Sequence, residues 1–255
     1  MKIGFPTHPR RDLIKEIEWV GKNKFDFVEL FLEEDMATPE KIDVASATKV
    51  IKQYNLGVIG HTAWYLPIGS SMRSLRETAV SEAEKYFDVF HRLNVKYVTV
   101  HANWPNSVFS EKEGVKFQVE TLKRLVKTAK KYNIGLMYES TDAIYDNIGN
   151  VAKVLNEGPS LFFLLDCGHT NIFGRKPEEF IKRFHKKIKH IHLHDNFGKD
   201  DLHLPMGAGL IDWARVVRVM KKYYDGTITL EIFSREREYA LLSKEKLRKM
   251  WDNAD

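Results

Sequence analysis

Short runs of β-branched and aromatic residues alternate along the chain with longer stretches whose apolar positions recur at helical spacing, the pattern of a parallel sheet with crossover helices. The runs predict strands near Ile3–Phe5, Phe27–Phe31, Gly57–His61, Tyr97–His101, Gly135–Glu139, Phe162–Asp166, His190–His194 and Thr227–Glu231. Helix starts are marked between them. Ser74 with Glu77 and Ser110 with Glu113 have capping-box spacing, Thr38-Pro39 and Lys176-Pro177 put proline at a first helical position, and Asp212 precedes Trp213 as a cap. No stretch rich in Pro, Gly or Ser interrupts the alternation, so one domain is expected. About eight strand–helix couplets predict an α/β fold, a closed (β/α)8 TIM barrel with its sites at the carboxyl ends of the strands. An open doubly wound sheet is the alternative. Against it, the first strand-to-helix turn, Pro6-Thr7-His8-Pro9-Arg10, lacks the glycine fingerprint that cradles a pyrophosphate, and no Walker-type loop is present.

The length of 255 residues suits one such barrel. Cys167 stands alone, which excludes an internal disulfide, a CxxC pair and a cysteine-rich zinc site, and fits a reducing compartment. Met1 to Thr7 runs into the first strand without the basic, apolar and cleavage-site pattern of a secretory signal, and nowhere do about 18 apolar residues run together. A soluble, cytoplasmic protein with no membrane partner is expected.

The chemistry lies in the strands. Residues two apart share a face, so His190, His192 and His194 share one face of the seventh strand while Ile191 and Leu193 share the other. The same polarity recurs in Thr227, Thr229 and Glu231, in Met137 and Glu139, and in Thr99 and His101, with Asp166 and His61 closing two further strands. His169, Asp201 and His203 follow in the loops beyond strands six and seven. An ordinary barrel interior holds branched apolar residues, and carboxylates converging on one mouth repel each other without a cation. A divalent metal resolves both problems. Imidazole and carboxylate without thiolate suit Mn, Zn, Co or Fe, with Glu139, Asp166, His192 and Glu231 as the primary set.

The runs Tyr138-Glu139-Ser140, Leu165-Asp166-Cys167-Gly168-His169, His192-Leu193-His194-Asp195, Asp201 through Gly209 and Leu230-Glu231 resemble the xylose isomerase-like barrel superfamily over nearly the whole chain. That superfamily joins metal-dependent sugar isomerases and epimerases with apurinic-site nucleases of the endonuclease IV type. In the sugar branch the resemblance implies one divalent ion on Glu139, Asp166, His192 and Glu231, with Glu139 and Glu231 exchanging protons on the two faces of an enediolate. His169 is then expected to bond a substrate oxygen. Asp195 is expected either to orient His192 from behind or to cap a turn, with His194 also behind the ligands. In the nuclease branch the resemblance implies nine ligands around three zinc ions, matched by His61, His101, Glu139, Asp166, His169, His192, Asp201, His203 and Glu231. The surrounding motifs depart from that branch. Thr62-Ala63-Trp64-Tyr65 follows His61 where the nucleases keep a serine-tyrosine-leucine run, Cys167-Gly168 stands where they keep threonine-cysteine, and His194 stands where they keep asparagine.

Charge placement favours the sugar branch. The formal charge is +5, but the basic runs Lys127 to Lys131, Arg183 to Lys189 and Lys221-Lys222 precede strands and so fall at the opposite rim. The top loops balance Arg10, Arg11, Arg73, Arg175, Lys199, Arg235 and Arg237 against Glu34, Asp35, Asp142, Asp146, Asp200, Glu236 and Glu238. Trp64, Tyr65, Trp104, Phe109, Phe173 and Phe197 offer faces for a sugar or a base, or plain loop packing. Arg235 or Arg237 is placed either to meet a substrate phosphate or to be ordinary surface arginine. Cys167, with no cationic neighbour in sequence, reads as structural. The expectation is a metal-dependent isomerase or epimerase of a sugar or sugar phosphate, possible as a homo-oligomer, with DNA cleavage at abasic sites as the alternative.

Overall fold

The β-branched runs form the eight parallel strands of a closed barrel, in a computed structural model that describes residues 1–141, 144–158 and 160–254. The strands are β1 (Lys2–Pro6), β2 (Phe27–Phe31), β3 (Gly57–His61), β4 (Tyr97–His101), β5 (Gly135–Glu139), β6 (Phe162–Asp166), β7 (Ile188–Leu193) and β8 (Thr227–Leu230). Each pairs with its neighbours in sequence, and β8 closes on β1. The helices are α1 (Leu13–Lys22), α2 (Val44–Gln53), α3 (Arg73–Arg92), α4 (Glu111–Lys131), α5 (Ile148–Glu157), α6 (Cys167–Asn171), α7 (Pro177–Phe184), α8 (Trp213–Tyr223) and α9 (Glu238–Asp252). No described helix is long and apolar enough to cross a membrane.

The helix signals have mixed outcomes. Ser110 and Glu113 close a reciprocal capping box on α4, Asp212 accepts from the Arg215 amide at the start of α8, and Pro177 opens α7. Ser74 makes no cap, because α3 starts one residue before it and Glu77 is held instead by Arg73 Nε at 2.9 Å. Thr38-Pro39 opens only a single 3-10 turn, Pro39–Lys41, and the following helix is capped by Asp43.

Two apolar layers result from strand alternation. The larger core lies between strands and helices and contains Val28, Leu30, Val98, Leu136, Tyr138, Leu165, Ile191 and Ile228. Inside the barrel, Phe27, Ile59, Met137 and Leu164 form an apolar floor, with Tyr97 and Phe162 packed against it and Phe31 higher up beside His61. Gly4 makes room for this floor, since a Cβ there would sit 2.2 Å from the Phe27 ring. Above it the interior turns polar, with Glu29, Thr99, His190, His192 and Thr229 all buried.

Gly4→Ala is therefore expected to strain the floor and to cost about 1–3 kcal/mol in urea unfolding. Ser74→Ala, which removes no cap, is expected to stay within about 0.5 kcal/mol of the parent protein in the same assay.

Candidate metal centre

Strand registers bring the inward rows to one level at the barrel mouth. His101 lies beside Glu139, Asp166 beside His192, and His192 beside Thr229. Glu139, Asp166, His192 and Glu231 consequently offer one donor atom each, all within 4.8 Å of one another. His192 Nδ1 is 3.7 Å from Glu139 Oε1, 3.7 Å from Asp166 Oδ2 and 2.7 Å from Glu231 Oε2, the last contact lacking hydrogen-bond geometry. These four atoms are buried and have no hydrogen-bond partner in the protein.

The other atoms of Glu139, Asp166 and His192 are occupied, which leaves one donor atom of each facing the centre. Glu139 Oε2 sits 3.2 Å from His61 Nε2 and 3.0 Å from His101 Nε2. Asp166 Oδ1 accepts from the His169 amide at 2.8 Å, capping α6, and lies 3.0 Å from His194 Nε2. Burying three carboxylates around one imidazole without partners is costly, and a divalent cation satisfies all four donors together. Three oxygens and one nitrogen without sulfur fit Mn, Zn or Co.

Protonation in the ion-free protein follows from the same contacts. Burial opposes the charged form of Glu139, but His101 and His192 beside it hold its carboxyl well below the usual range. Burial likewise opposes charge on His192, but Glu29, then Glu231 and Glu139, raise its imidazole well above the ordinary value. Burial, followed by Asp166 and Glu178, pushes the Cys167 thiol well up, away from a nucleophilic thiolate.

Of three further donor sets among the described residues, one is Glu29 with His190 and His192 beneath the centre, and two flank the centre. His61, His101 and Glu139 form the first flanking set; His169, His194, Asp201 and His203 form the second. Asp201 Oδ2 lies 3.1 Å from His169 Nε2 and 3.0 Å from His203 Nε2, and the His194 and His203 rings stack at 3.9 Å. Gly168 permits this approach, because a Cβ there would come within 1.9 Å of the His194 ring. The mouth thus gathers every histidine and carboxylate that the sequence marked as a ligand.

Asp195 is elsewhere. Instead of orienting His192, its carboxylate accepts from the amides of Asn196, Gly207 and Ile211 and from Trp213 Nε1, while its backbone pairs with Leu204. It braces the loop that carries Asp201 and His203, because the chain turns away after Leu193 and points this carboxylate into the loop. Glu29 takes the orienting role. Its oxygens accept from His192 Nε2 at 3.0 and 3.1 Å, and Oε2 also lies 3.2 Å from His190 Nε2. Held this way, His192 keeps its proton on Nε2 and turns Nδ1 to the centre. Strand alternation carries a signal for Glu29, since it shares the inward face of β2 with Phe27 and Phe31, but its partners arrive from β7, far away in sequence.

Above the donors opens a cavity of about 1010 Å³ lined by Phe31, Trp64, Tyr65, Trp104 and Phe233 together with His8, Arg10, Glu33, Glu34, Asn103 and Thr141. Trp104 is fixed by a 2.9 Å bond from Nε1 to Asp146 and by stacking on Tyr145. Phe109, Phe173 and Phe197 do not line it. Burial raises the Glu33 carboxyl, with Glu231 adding to the shift and His61 opposing it. Arg175 serves the loops, donating to the carbonyls of Asp146 and Ile172. Asp142, one of the acidic loop positions, lies outside the described residues.

Titration of the ion-free protein with Mn, Co or Zn is expected to release protons, because the raised His192 must lose one to bind; affinity should rise with pH through that range. Calorimetry in buffers of different ionisation enthalpy measures the release. Glu29→Gln leaves all four donors in place and is expected to weaken metal binding about 10–100-fold.

The chain matches the model of the xylose isomerase-like TIM barrel family over residues 17–251. It is 26% identical to an uncharacterised protein of Methanocaldococcus jannaschii over 92% of this chain and 84% of that protein. It is 23% identical to an inosose isomerase of Halalkalibacterium halodurans, covering 95% and 90% of the two chains. The crystal structure of a D-tagatose 3-epimerase-like protein superposes with a TM-score of 0.86 at 23% identity over 99% of this chain and 97% of that one. The chain belongs to the xylose isomerase-like TIM barrel family.

Proposed function

We propose that this protein is a divalent-metal-dependent isomerase or epimerase of a small sugar or sugar phosphate. The observation that carries the proposal is the set of four buried, unpartnered donor atoms on Glu139, Asp166, His192 and Glu231 at the base of an aromatic-walled cavity. The names of two similar proteins, an inosose isomerase and a D-tagatose 3-epimerase-like protein, support the same class of reaction.

An ion bound to these four residues supplies Lewis-acid polarisation of the substrate carbonyl, which acidifies the neighbouring C–H bond. Glu139 and Glu231 project from β5 and from the end of β8, on different sides of the barrel, so one removes the proton and the other returns it on the opposite face. His61 and His101 clamp Glu139 Oε2 and so fix the direction of its free oxygen. His169, 3.4 Å from Glu139 Oε1, lines the cavity and bonds a substrate oxygen. Trp64, Tyr65 and Phe233 offer apolar faces to the sugar ring and exclude water from the exchange.

The two flanking donor sets favour a second reading, a three-metal nuclease acting on abasic DNA, because they complete the nine positions that such an enzyme uses. Mixed charge around the mouth, where Arg10, Glu33, Glu34 and Asp201 all line the cavity, weighs against binding a phosphodiester backbone there.

Glu139→Gln and Glu231→Gln are each expected to remove solvent-deuterium incorporation at the substrate carbon by at least about 100-fold, with NMR following a panel of ketoses and aldoses. Metal content is assayed in the same samples. Turnover retained in either variant overturns the two-carboxylate exchange. Cleavage of an oligonucleotide containing one abasic site, lost in His203→Ala, would establish the nuclease instead.

A further inference from the structure

A second cavity of about 270 Å³ adjoins the main one between the loops after β1 and β8. The two share His8 and Phe233 as lining residues. Three arginines, Arg11, Arg235 and Arg237, line the smaller cavity against one carboxylate, Glu16. That carboxylate is already committed, since Arg237 binds both of its oxygens and packs over Trp19 at 4.8 Å. Arg11 and Arg235 have no carboxylate partner among the described residues. The surplus of positive charge acts on its neighbour. Burial and then Arg11 lower the His8 imidazole, with Arg237 and Arg10 adding to the effect and Glu16 opposing it.

The cavity is too small for a whole ligand of ordinary size and suits one end of a longer one. Its connection to the chemistry runs along the chain. The loop that follows Glu231, a central donor, supplies first Phe233, stacked on His203 at 4.3 Å, and then Arg235. Because the two cavities share His8 and Phe233, they offer one extended ligand a place for its reacting end over the donors and a place for its far end in the smaller cavity. Guanidinium groups recognise tetrahedral oxyanions through paired, charge-assisted hydrogen bonds.

We propose that Arg11 and Arg235 form an anion subsite that holds the phosphate of a phosphorylated sugar, so that the substrate is a phosphate monoester and not a free sugar. This rests on the sugar isomerase reading of the main cavity. Both side chains are exposed at the rim.

The test is calorimetric binding of inorganic phosphate, fructose 6-phosphate, fructose and gluconate to the metal-loaded protein, to the chelated protein, and to metal-loaded Arg11→Gln, Arg235→Gln and double variants. Fructose 6-phosphate is expected to bind at least about tenfold more tightly than fructose, with about a tenfold loss for each guanidinium removed and with phosphate binding retained after chelation. Equal affinity for fructose and fructose 6-phosphate, or phosphate binding unchanged in the double variant, overturns the proposal. Tighter binding of gluconate than of fructose 6-phosphate overturns it in favour of a carboxylate. Phosphate affinity that depends on the arginines in a protein inactive on every sugar would sink the isomerase reading while leaving the anion subsite standing.

Discussion

Three carboxylates and one imidazole point at the same small volume inside a folded barrel, and each leaves a buried lone pair without a partner. Burying such an arrangement is costly. Its surroundings are organised around it: His61 and His101 take the second oxygen of Glu139, the His169 amide takes that of Asp166, and Glu29 takes the far nitrogen of His192. A bound cation would turn this repulsion into a rigid, pre-aimed set of ligands. The apolar floor of Phe27, Ile59, Met137 and Leu164 is correspondingly thin, so most of the barrel's packing lies between its strands and helices.

Much of this was legible in the sequence because barrel strands have a period of two and their ends have a fixed place. Alternation in the strands led to Glu139, Asp166 and His192, and the loop run after β7 led to Asp201 and His203. What stayed hidden depends on contacts between distant strands. Glu29 reads locally as one polar residue among aromatics, and only the closing of β2 toward β7 brings it under His192. Asp195 is open in the sequence between orienting His192 and capping a turn, and the path of the following loop decides for the loop amides. Ser74 shows the same limit on a smaller scale, because capping spacing does not say which residue begins the helix.

The loops divide their work. Asp195 and Gly168 act as construction residues, one tying down the loop that bears Asp201 and His203, the other admitting the His194 ring beside α6. The loops after β1 and β8 supply the arginines that bound the smaller cavity, while the β3 and β4 loops supply Trp64, Tyr65 and Trp104 to the larger one. Chemistry at the base, an aromatic wall and a charged far end would be read by different parts of one extended ligand.

The most direct measurement is anomalous diffraction at the metal edge from crystals grown with Mn or Co. A peak within about 2.0–2.3 Å of Glu139, Asp166, His192 and Glu231, with His192 binding through Nδ1 and Glu29 still on Nε2, is the expected result. A well-ordered map with full metal in solution and no peak among those four side chains would contradict the metal centre on which the proposed activity rests.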